Sequence, residues 1–266
     1  MKIAIVGCGN MGMAFARSFI QYDLVKKENL LLIEKSKERC DVLQAAREGV
    51  VVSTIHAQIG TADLVILSVK PQDFSSVARE LAVHLHSEQV VLSIMAGIPM
   101  ERIQRELNHG LVVRAMPNTP AMIGMGITGY TAAEGISFAK LLKIENLINA
   151  TGRAVYLENE DMIDAVTAVS GSGPAYFYYV VKQMVEAAKQ MGFEEGMAQL
   201  LVKQTMLGSY HLINNAEKSL DELIQAVASK GGTTEAALST FEKTGVAEGI
   251  IAGMHAAENR AKELSK

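Results

Sequence analysis

The sequence has few cysteines, no surplus of positive charge and no long apolar run, and each absence narrows the range of functions. Two of its 266 residues, Cys8 and Cys40, are cysteines, so we expect a reducing compartment rather than a disulfide-linked fold. The formal net charge of −4 argues against binding to nucleic acid or to an anionic membrane. No apolar run approaches the roughly 20 residues of a membrane span, and the apolar start Ile3–Val6 is too short for a signal-peptide core. We therefore expect a soluble, cytoplasmic protein.

Common catalytic arrangements are also missing. The six histidines are scattered, and the close pair His84 and His86 has no cysteine or carboxylate placed to complete a zinc site. Ser172 lies in the motif SGSGPAY, but a serine needs a histidine partner to act as a nucleophile. Pro174 suits the first turn of a helix instead, and such a helix N-terminus could also hold an anion. The sequence predicts neither a metal site nor a serine nucleophile.

What the sequence does contain, up to about residue 158, is an alternation of short apolar runs and helical patterns. The runs are rich in Val, Ile and Leu without polar alternation, which is typical of parallel strands buried on both faces. Strands are predicted at Ile3–Val6, Leu30–Ile33, Val50–Val52, 64–69, 90–94 and 111–115, with two short ones at 127–130 and 154–156. This alternation predicts an α/β fold, a parallel sheet with helices on both faces.

Beyond residue 158 only helical patterns remain. They are predicted at 174–191, 194–213, Leu220–Val227, 234–242 and Val246–Leu264. We therefore predict two domains, residues 1–158 with the sheet and residues 159–266 all helical. Residues 176–181 are apolar on every side of their helix, and Gly249 and Gly253 share one face of the last helix, where another backbone can pack closely. Both features favour a homo-oligomer over packing within one domain.

Unusual residues follow the ends of the predicted strands. They are residues 7–12, 34–37, 70–71, 95–97 and 116–120. The carboxyl ends of parallel strands share one edge of a sheet, and open α/β sheets bind their ligands there. We expect a single ligand site at this edge.

The first of these segments, GCGNMG, is the G-x-G-x-x-G pattern in its required context, after a strand and at the start of a helix. Gly7 makes the tight turn, Gly9 lets a pyrophosphate approach the backbone, and Gly12 lets the helix pack on the strand. Asn10 and Met11 open the helix whose N-terminus faces the phosphates. The pattern predicts dinucleotide binding by a Rossmann-type domain.

The residues after the second strand bear on the choice of dinucleotide. An acid at the position of Glu34 usually binds the adenosine ribose and favours NAD. Lys35, Ser36 and Lys37 adjoin it and could hold the 2′-phosphate of NADP instead, so the residues leave the choice open. Lys70 could act as a general acid, contact a phosphate or have only a structural role.

Five motifs together resemble the pyrroline-5-carboxylate reductase family over nearly the whole chain. They are GCGNMG, VKP at 69–71, MPNTP at 116–120, SGSGPAY at 170–176 and VASKGGTTEAALSTF at 227–241. The resemblance implies a Rossmann domain followed by an all-α dimerisation domain, and hydride transfer from NADPH or NADH to C5 of the protonated imine, giving L-proline. Lys230 stands where the family often has proline. Ile55 stands near the place of an asparagine that some members use by the adenosine, which leaves the cofactor choice open.

The resemblance and the motifs predict the residues of the site. Cofactor contacts are expected from Gly7, Gly9, Asn10, Met11, Gly12, Glu34, Lys35, Ser36, Val69, Lys70, Pro71, Ala96, Gly97 and Asn118. Substrate contacts are expected from Glu160, Ser229, Gly231, Gly232, Thr233 and Thr234. The expected cofactor is NADP(H), with NAD(H) as the alternative.

Two of these residues have chemical roles that the resemblance implies. Thr234 is the catalytic candidate, with its hydroxyl near the ring nitrogen of the substrate. Glu160 matches a family substrate contact, and its carboxylate would favour the protonated imine. For Glu160 a plain alternative is an acid that interacts with the dipole at a helix N-terminus.

The segment around Gly231 and Gly232 interrupts a helical region, as a plain corner or as a cradle. Its glycines keep side chains away, and a helix N-terminus just beyond offers unpaired N–H groups to the substrate carboxylate. The cradle is our interpretation; in the plain corner, a threonine hydroxyl would cap the next helix.

Other functions remain as alternatives. One is a reductase of another cyclic imine or of a keto acid, although a keto acid would usually need a stronger acid opposite the nicotinamide. The other is a regulatory dinucleotide-binding protein without turnover, against which the intact GGTT segment argues.

Overall fold

The computed structural model describes residues 1–265, and by packing they form two compact units. Met1–Pro174, together with the end of the chain from Ala257, makes the first, and Ala175–Ala256 makes the second. The sheet of the first unit ends at Tyr156, close to the boundary at 158 that the sequence predicts. That domain boundary stays a prediction.

The first unit is built on one sheet of eight strands in the order β3-β2-β1-β4-β5-β6-β7-β8. The strands are β1 Ile3–Val6, β2 Leu30–Ile33, β3 Val50–Val52, β4 Leu64–Leu67, β5 Val90–Ser93, β6 Val112–Met116, β7 Gly126–Ala132 and β8 Gly152–Tyr156. All neighbours are parallel except β6 and β7. The mainly parallel Rossmann-type sheet is confirmed.

The strand bounds differ from the predicted ones at the site edge. β4 ends at Leu67 and β5 at Ser93, short of the predicted ends, because the chain turns into the loops that form the carboxyl edge. β7 runs antiparallel to β6, which differs from the parallel sheet that the sequence predicts. Only a short 3₁₀ turn, Thr119–Ile123, lies between β6 and β7. Parallel neighbours need a crossover of about a dozen residues or more, so this short connection makes β7 antiparallel.

Helices cover both faces of the sheet, as predicted. On one face α1 (Asn10–Gln21) and α5 (Phe138–Asn149) contribute Phe15, Phe19 and Leu147 to one apolar core. On the other, α3 (Phe74–Leu81) and α4 (Met100–Leu107) contribute Phe74 and Ile103 to a second. The helix α2 (Lys37–Ala45) begins just beyond β2. Buried apolar strands between these two layers hold the carboxyl edge rigid.

The remaining chain is helical. Its helices are α6 Met162–Val166, α7 Gly173–Gln190, α8 Glu195–Asn215, α9 Leu220–Val227, α10 Thr233–Lys243 and α11 Val246–Leu264. The bounds of α9 and α11 are those predicted, and those of α7, α8 and α10 differ by two residues or fewer. A π-helix at Thr167–Gly171, which was not predicted, joins α6 to α7. Within residues 1–265, none of the helices is both long enough and apolar enough to cross a membrane.

Candidate dinucleotide and substrate sites

The three glycines of the loop after β1 have separate structural roles. Gly7 has φ +95°, and a Cβ there would lie 2.6 Å from the Ser68 carbonyl oxygen. A Cβ on Gly12 would strike the carbonyl oxygen of Gly7. At Gly9, by contrast, a Cβ would meet nothing within 4 Å. Gly7 and Gly12 are thus required by the packing of the loop, whereas Gly9 borders open space that a pyrophosphate fits.

The N-terminus of α1 borders the same space. Its N-cap is Gly9, no side chain caps it, and no acidic residue lies in its first turn. The first N–H groups, those of Asn10 and Met11, therefore lack a side-chain acceptor and carry the positive end of the helix dipole. This is the arrangement that a dinucleotide pyrophosphate needs.

Glu34, at the end of β2, is hydrogen-bonded to the glycine loop. One carboxylate oxygen, Oε2, accepts from the backbone N–H of Cys8 at 3.1 Å, and Oε1 accepts from that of Ser36 at 2.9 Å. Arg39 on α2, which the sequence reading overlooked, donates from Nε to the Cys8 carbonyl oxygen at 3.2 Å. The backbone N–H of Cys8 is thus bound by the acidic Glu34 and its carbonyl oxygen by the basic Arg39. These two contacts preorganise the glycine loop. The sequence feature that could have indicated Arg39 is its position as a basic residue shortly after β2.

The other polar residues after β2 have structural partners. Lys35 Nζ lies 3.1 Å from Asp73 Oδ2, which links the loops after β2 and β4. Ser36 is the N-cap of α2, and its hydroxyl accepts from the backbone N–H of Arg39 at 3.3 Å. Lys37 begins α2 and is exposed.

The two cysteines lie beneath this loop and are buried. Cys8 Sγ donates to the Ile33 carbonyl oxygen at 3.6 Å, and Cys40 Sγ donates to that of Glu34 at 2.9 Å. Burial, followed by the negative charge of Glu34, raises the pKa of Cys8 to about 12. Burial also raises the pKa of Cys40. Both thiols are therefore protonated and unreactive at neutral pH.

The loops after β4, β5 and β6 place the remaining predicted cofactor residues at this edge. Val69 is half-buried, Lys70 is exposed, and Pro71 begins a 3₁₀ turn. Ala96 precedes Gly97, which has φ +69° and whose Cβ position lies 3.0 Å from Leu264 Cβ in the last turn of α11.

Asn118 is the last of the predicted cofactor residues. Its side-chain Oδ1 accepts from the Ile127 backbone N–H at 3.0 Å, so this amide also holds β7 in place.

Glu160, predicted as a substrate contact, lies in a network of hydrogen bonds. Its Oε1 accepts from the Met100 backbone N–H at 2.7 Å and from Arg114 Nη1 at 2.8 Å. It precedes α6 but does not cap that helix; its bonds go to the start of α4 and to β6. No sequence signal pointed to Arg114, because its burial follows from strand pairing.

The segment with the double glycine forms a tight turn before α10. Gly231 has φ +73°, and an added Cβ there would meet nothing within 4 Å. The N-cap of α10 is Gly232, without a side-chain cap. Thr233 and Thr234 lie inside the helix, and neither hydroxyl caps it. The alternative in which a threonine hydroxyl caps α10 is therefore wrong. Ser229 contributes its carbonyl oxygen, which accepts from the Gly232 N–H at 2.9 Å.

One N–H group of this segment already binds a carboxylate. The Gly231 N–H donates to Glu235 Oε2 at 2.5 Å. The contact shows that the Gly231 N–H is oriented to bind an anion. It also leaves the N–H groups at the start of α10 as the donors without a side-chain acceptor.

No cluster of three His, Cys, Asp or Glu side chains suited to a metal ion occurs among residues 1–265.

Comparisons with known proteins agree with this geometry. Residues 160–264 match the family described as pyrroline-5-carboxylate reductase dimerisation, and residues 2–97 match NADP oxidoreductase, coenzyme F420-dependent. Pyrroline-5-carboxylate reductase of Pseudomonas aeruginosa is 36% identical over 266 residues, which cover 100% of this chain and 97% of that protein.

Two solved structures share the fold over the full length. Pyrroline-5-carboxylate reductase from Coxiella burnetii has a TM-score of 0.89 at 33% identity, covering 100% of this chain and 98% of that one. Pyrroline carboxylate reductase of Plasmodium falciparum with NADP bound has a TM-score of 0.90 at 25% identity, with the same coverage of 100% and 98%.

Proposed function

Because the chain belongs to the pyrroline-5-carboxylate reductase family, we propose that it reduces pyrroline-5-carboxylate to L-proline with a nicotinamide dinucleotide. The observation that carries the proposal is the open space at Gly9 before the uncapped N-terminus of α1. It leaves room for a pyrophosphate beside a favourable dipole. The dinucleotide supplies the hydride that reduces the imine.

The residues of the carboxyl edge hold the dinucleotide in this proposal. Gly7 and Gly12 shape the loop, and Asn10 and Met11 offer N–H groups to the pyrophosphate. Glu34 lies at the adenosine ribose. The loops at 69–71 and 96–97, with Asn118, border the rest of the dinucleotide. Their position at the carboxyl ends of adjacent strands supports this assignment.

We further propose that NADH is preferred to NADPH. The Glu34 carboxylate, held by two backbone N–H groups, would repel a 2′-phosphate at the adenosine. Lys35 is paired with Asp73 and the Ser36 hydroxyl caps α2, so two of the three side chains that could hold a 2′-phosphate have other partners; Lys37 is exposed at the start of α2. Arg39 holds the Cys8 carbonyl oxygen, which supports a role in shaping the glycine loop.

The substrate is assigned to the turn before α10. The N–H groups of Thr233 and Thr234 in the first turn of α10 have no side-chain cap and suit a carboxylate, whereas the Gly232 N–H is bound to the Ser229 carbonyl oxygen. The Thr234 hydroxyl orients the ring nitrogen and is the catalytic candidate; its freedom from capping supports this role. Ser229 and Gly231 form the turn that sets these donors.

The chain is expected to assemble with copies of itself through the C-terminal helices. Their match to a dimerisation family and the exposed rings of Phe177, Tyr178 and Tyr179 on α7 support this.

Steady-state oxidation of NADH and NADPH, each with pyrroline-5-carboxylate, tests the proposal. We expect turnover to L-proline with both and a higher kcat/KM with NADH. Tight binding of NADH without turnover would favour a regulatory protein. Turnover with another cyclic imine or a keto acid, but not with pyrroline-5-carboxylate, would overturn the substrate assignment.

A further inference from the structure

A cluster of buried and half-buried polar side chains lies beside the loop between β5 and α4. Arg114, on β6, is only 3% exposed. Its Nη1 donates to Glu160 at 2.8 Å and its Nη2 to Asp164 Oδ1 at 3.3 Å. Ser265 Oγ donates to the same Asp164 oxygen at 3.0 Å. Arg114 Nε has no partner within the described residues, so the guanidinium is held through its two carboxylate contacts alone.

Glu160 connects this cluster to α4. The oxygen that accepts from Arg114 also accepts from the backbone N–H of Met100 at 2.7 Å. Met100 is the first residue of α4, and the N-cap Pro99 has no capping side chain. The first N–H groups of a helix lack partners inside it, so the Glu160 carboxylate supplies an acceptor that α4 itself cannot.

The loop just before α4 is constrained at several points. The Met95 N–H donates to Ser93 Oγ at 3.3 Å at its beginning. Gly97 packs against Leu264, next to Ser265 of the cluster. At its far end, the Met100 N–H is bound by Glu160. This is the loop that carries Ala96 and Gly97, two of the proposed cofactor contacts.

We infer that Glu160 is a positioning residue for the loop 95–100, acting through its hydrogen bonds to Met100 and Arg114, and that Arg114 holds it in place. The inference rests on the proposed dinucleotide site. It replaces the expectation that the Glu160 carboxylate pairs with the substrate cation. In the positioning role an oxygen acceptor is essential and the negative charge is secondary; in the cation-pairing role the charge is essential.

Glu160→Gln and Glu160→Ala separate the two roles. Glutamine keeps an amide oxygen that can accept from both Met100 and Arg114, whereas alanine removes the acceptor and leaves Arg114 with one carboxylate. We expect Glu160→Gln to retain NADH affinity and kcat/KM within about threefold. We expect Glu160→Ala to lose at least about tenfold in each, since the hydrogen bonds from the Met100 N–H and from Arg114 are both removed.

A second readout does not depend on turnover. In the protein without substrate, hydrogen exchange at the Met100 N–H should be faster in Glu160→Ala and near native in Glu160→Gln. Glu101→Ala removes an exposed acid from the first turn of α4 and is the matched control. We expect neither exchange nor NADH affinity to change in it.

The outcomes are distinct. A large loss of kcat/KM in Glu160→Gln, with native NADH affinity and native exchange, would overturn the inference and restore the cation-pairing role. Unchanged exchange and NADH affinity in folded Glu160→Ala would overturn it too. If Glu160→Ala does not fold, Arg114→Lys replaces it. Lysine keeps the positive charge but cannot bridge Glu160 and Asp164. Unchanged hydrogen exchange at the Met100 N–H in Arg114→Lys would contradict the role of Arg114. A native protein that binds NADH but does not reduce pyrroline-5-carboxylate would refute the proposed function alone.

Discussion

The two units of the chain bury their apolar residues very differently. In the sheet unit Ile3 is 0% exposed, as are Ile5 and Ile66, because helices cover both faces of the sheet. In the helical unit Phe177 is 61% exposed, and the adjacent Tyr178 and Tyr179 are exposed to a similar degree. Apolar patches of this kind mark interaction sites. The sheet unit has a core of its own, whereas the helical unit exposes an apolar surface that a partner copy would cover in the proposed assembly.

This contrast predicts that function can be lost in the sheet unit without loss of the fold. Gly9→Val should reduce NADH affinity by at least about a hundredfold while the melting temperature stays near native, because its side chain enters the open space for the pyrophosphate. Isothermal titration measures the affinity. Gly12→Val is the matched contrast: its Cβ strikes Gly7, so we expect it to destabilise the unit. Native NADH affinity in folded Gly9→Val would remove Gly9 from the site.

In the helical unit the largest effect should be on assembly. Tyr178→Asp places a charge in the apolar surface that forms the interface in the proposed assembly. We expect a shift to monomers in multi-angle light scattering, with a loss of at least about 2 kcal/mol from the interface. Val83→Asp alters a side chain that is 78% exposed in the sheet unit and should leave the assembly unchanged. If both variants keep the native mass, α7 does not form the interface.

A substitution in the turn before α10 sharpens the comparison, because it should change the reaction of the substrate and leave cofactor binding unchanged. Thr234→Ala removes one hydrogen bond and should lower kcat/KM for pyrroline-5-carboxylate by roughly threefold to a hundredfold. NADH affinity should be retained. Since Gly232 is the N-cap, the melting temperature should also stay near native. A lower melting temperature with normal kinetics would mean that the turn is only a structural corner.

In the sheet unit, the effect expected of Glu34 is one of selectivity. Glu34→Ser removes a charge that repels the 2′-phosphate and should raise the ratio of NADPH to NADH affinity by about tenfold. The matched variant Lys35→Ala loses a pair with Asp73 and should leave the ratio unchanged. A ratio unmoved by Glu34→Ser would show that this carboxylate does not face the adenosine.

The effect expected of Cys8 is confined to stability at alkaline pH. The pKa of Cys8 rises from 9.0 to about 12 in the folded protein, because burial disfavours the ionised thiolate. Below pH 9 the thiol is protonated in both the folded and the unfolded chain, so the contribution of Cys8 to stability is fully present. This contribution is lost as the pH rises from 9 towards 12, because the unfolded chain ionises first. The stability difference between native protein and Cys8→Ala should therefore shrink over that range in urea unfolding. A constant difference would mean that burial does not shift this thiol.

Much of the fold follows from local patterns in the sequence. Continuous apolar runs mark β1 and β2 with their observed bounds, because these strands are buried on both faces. The bounds of β3 are also those predicted, although this edge strand is only partly buried. The helices α9 and α11 likewise have the predicted ends. The direction of β7 could not be predicted from its own residues, since it depends on the short connection from β6.

The site divides in the same way. The sequence by itself determined the family, the glycine loop and the turn before α10, because each rests on residues that are close together in the chain. Only the tertiary structure decided the partners of Glu160 and the contact of Arg39 with Cys8, and it excluded the threonine cap of α10. The first two join groups from different elements, and the third depends on where the helix begins. Hydrogen bonds between distant segments require the folded backbone to bring donor and acceptor within about 3 Å, and no local pattern records that distance.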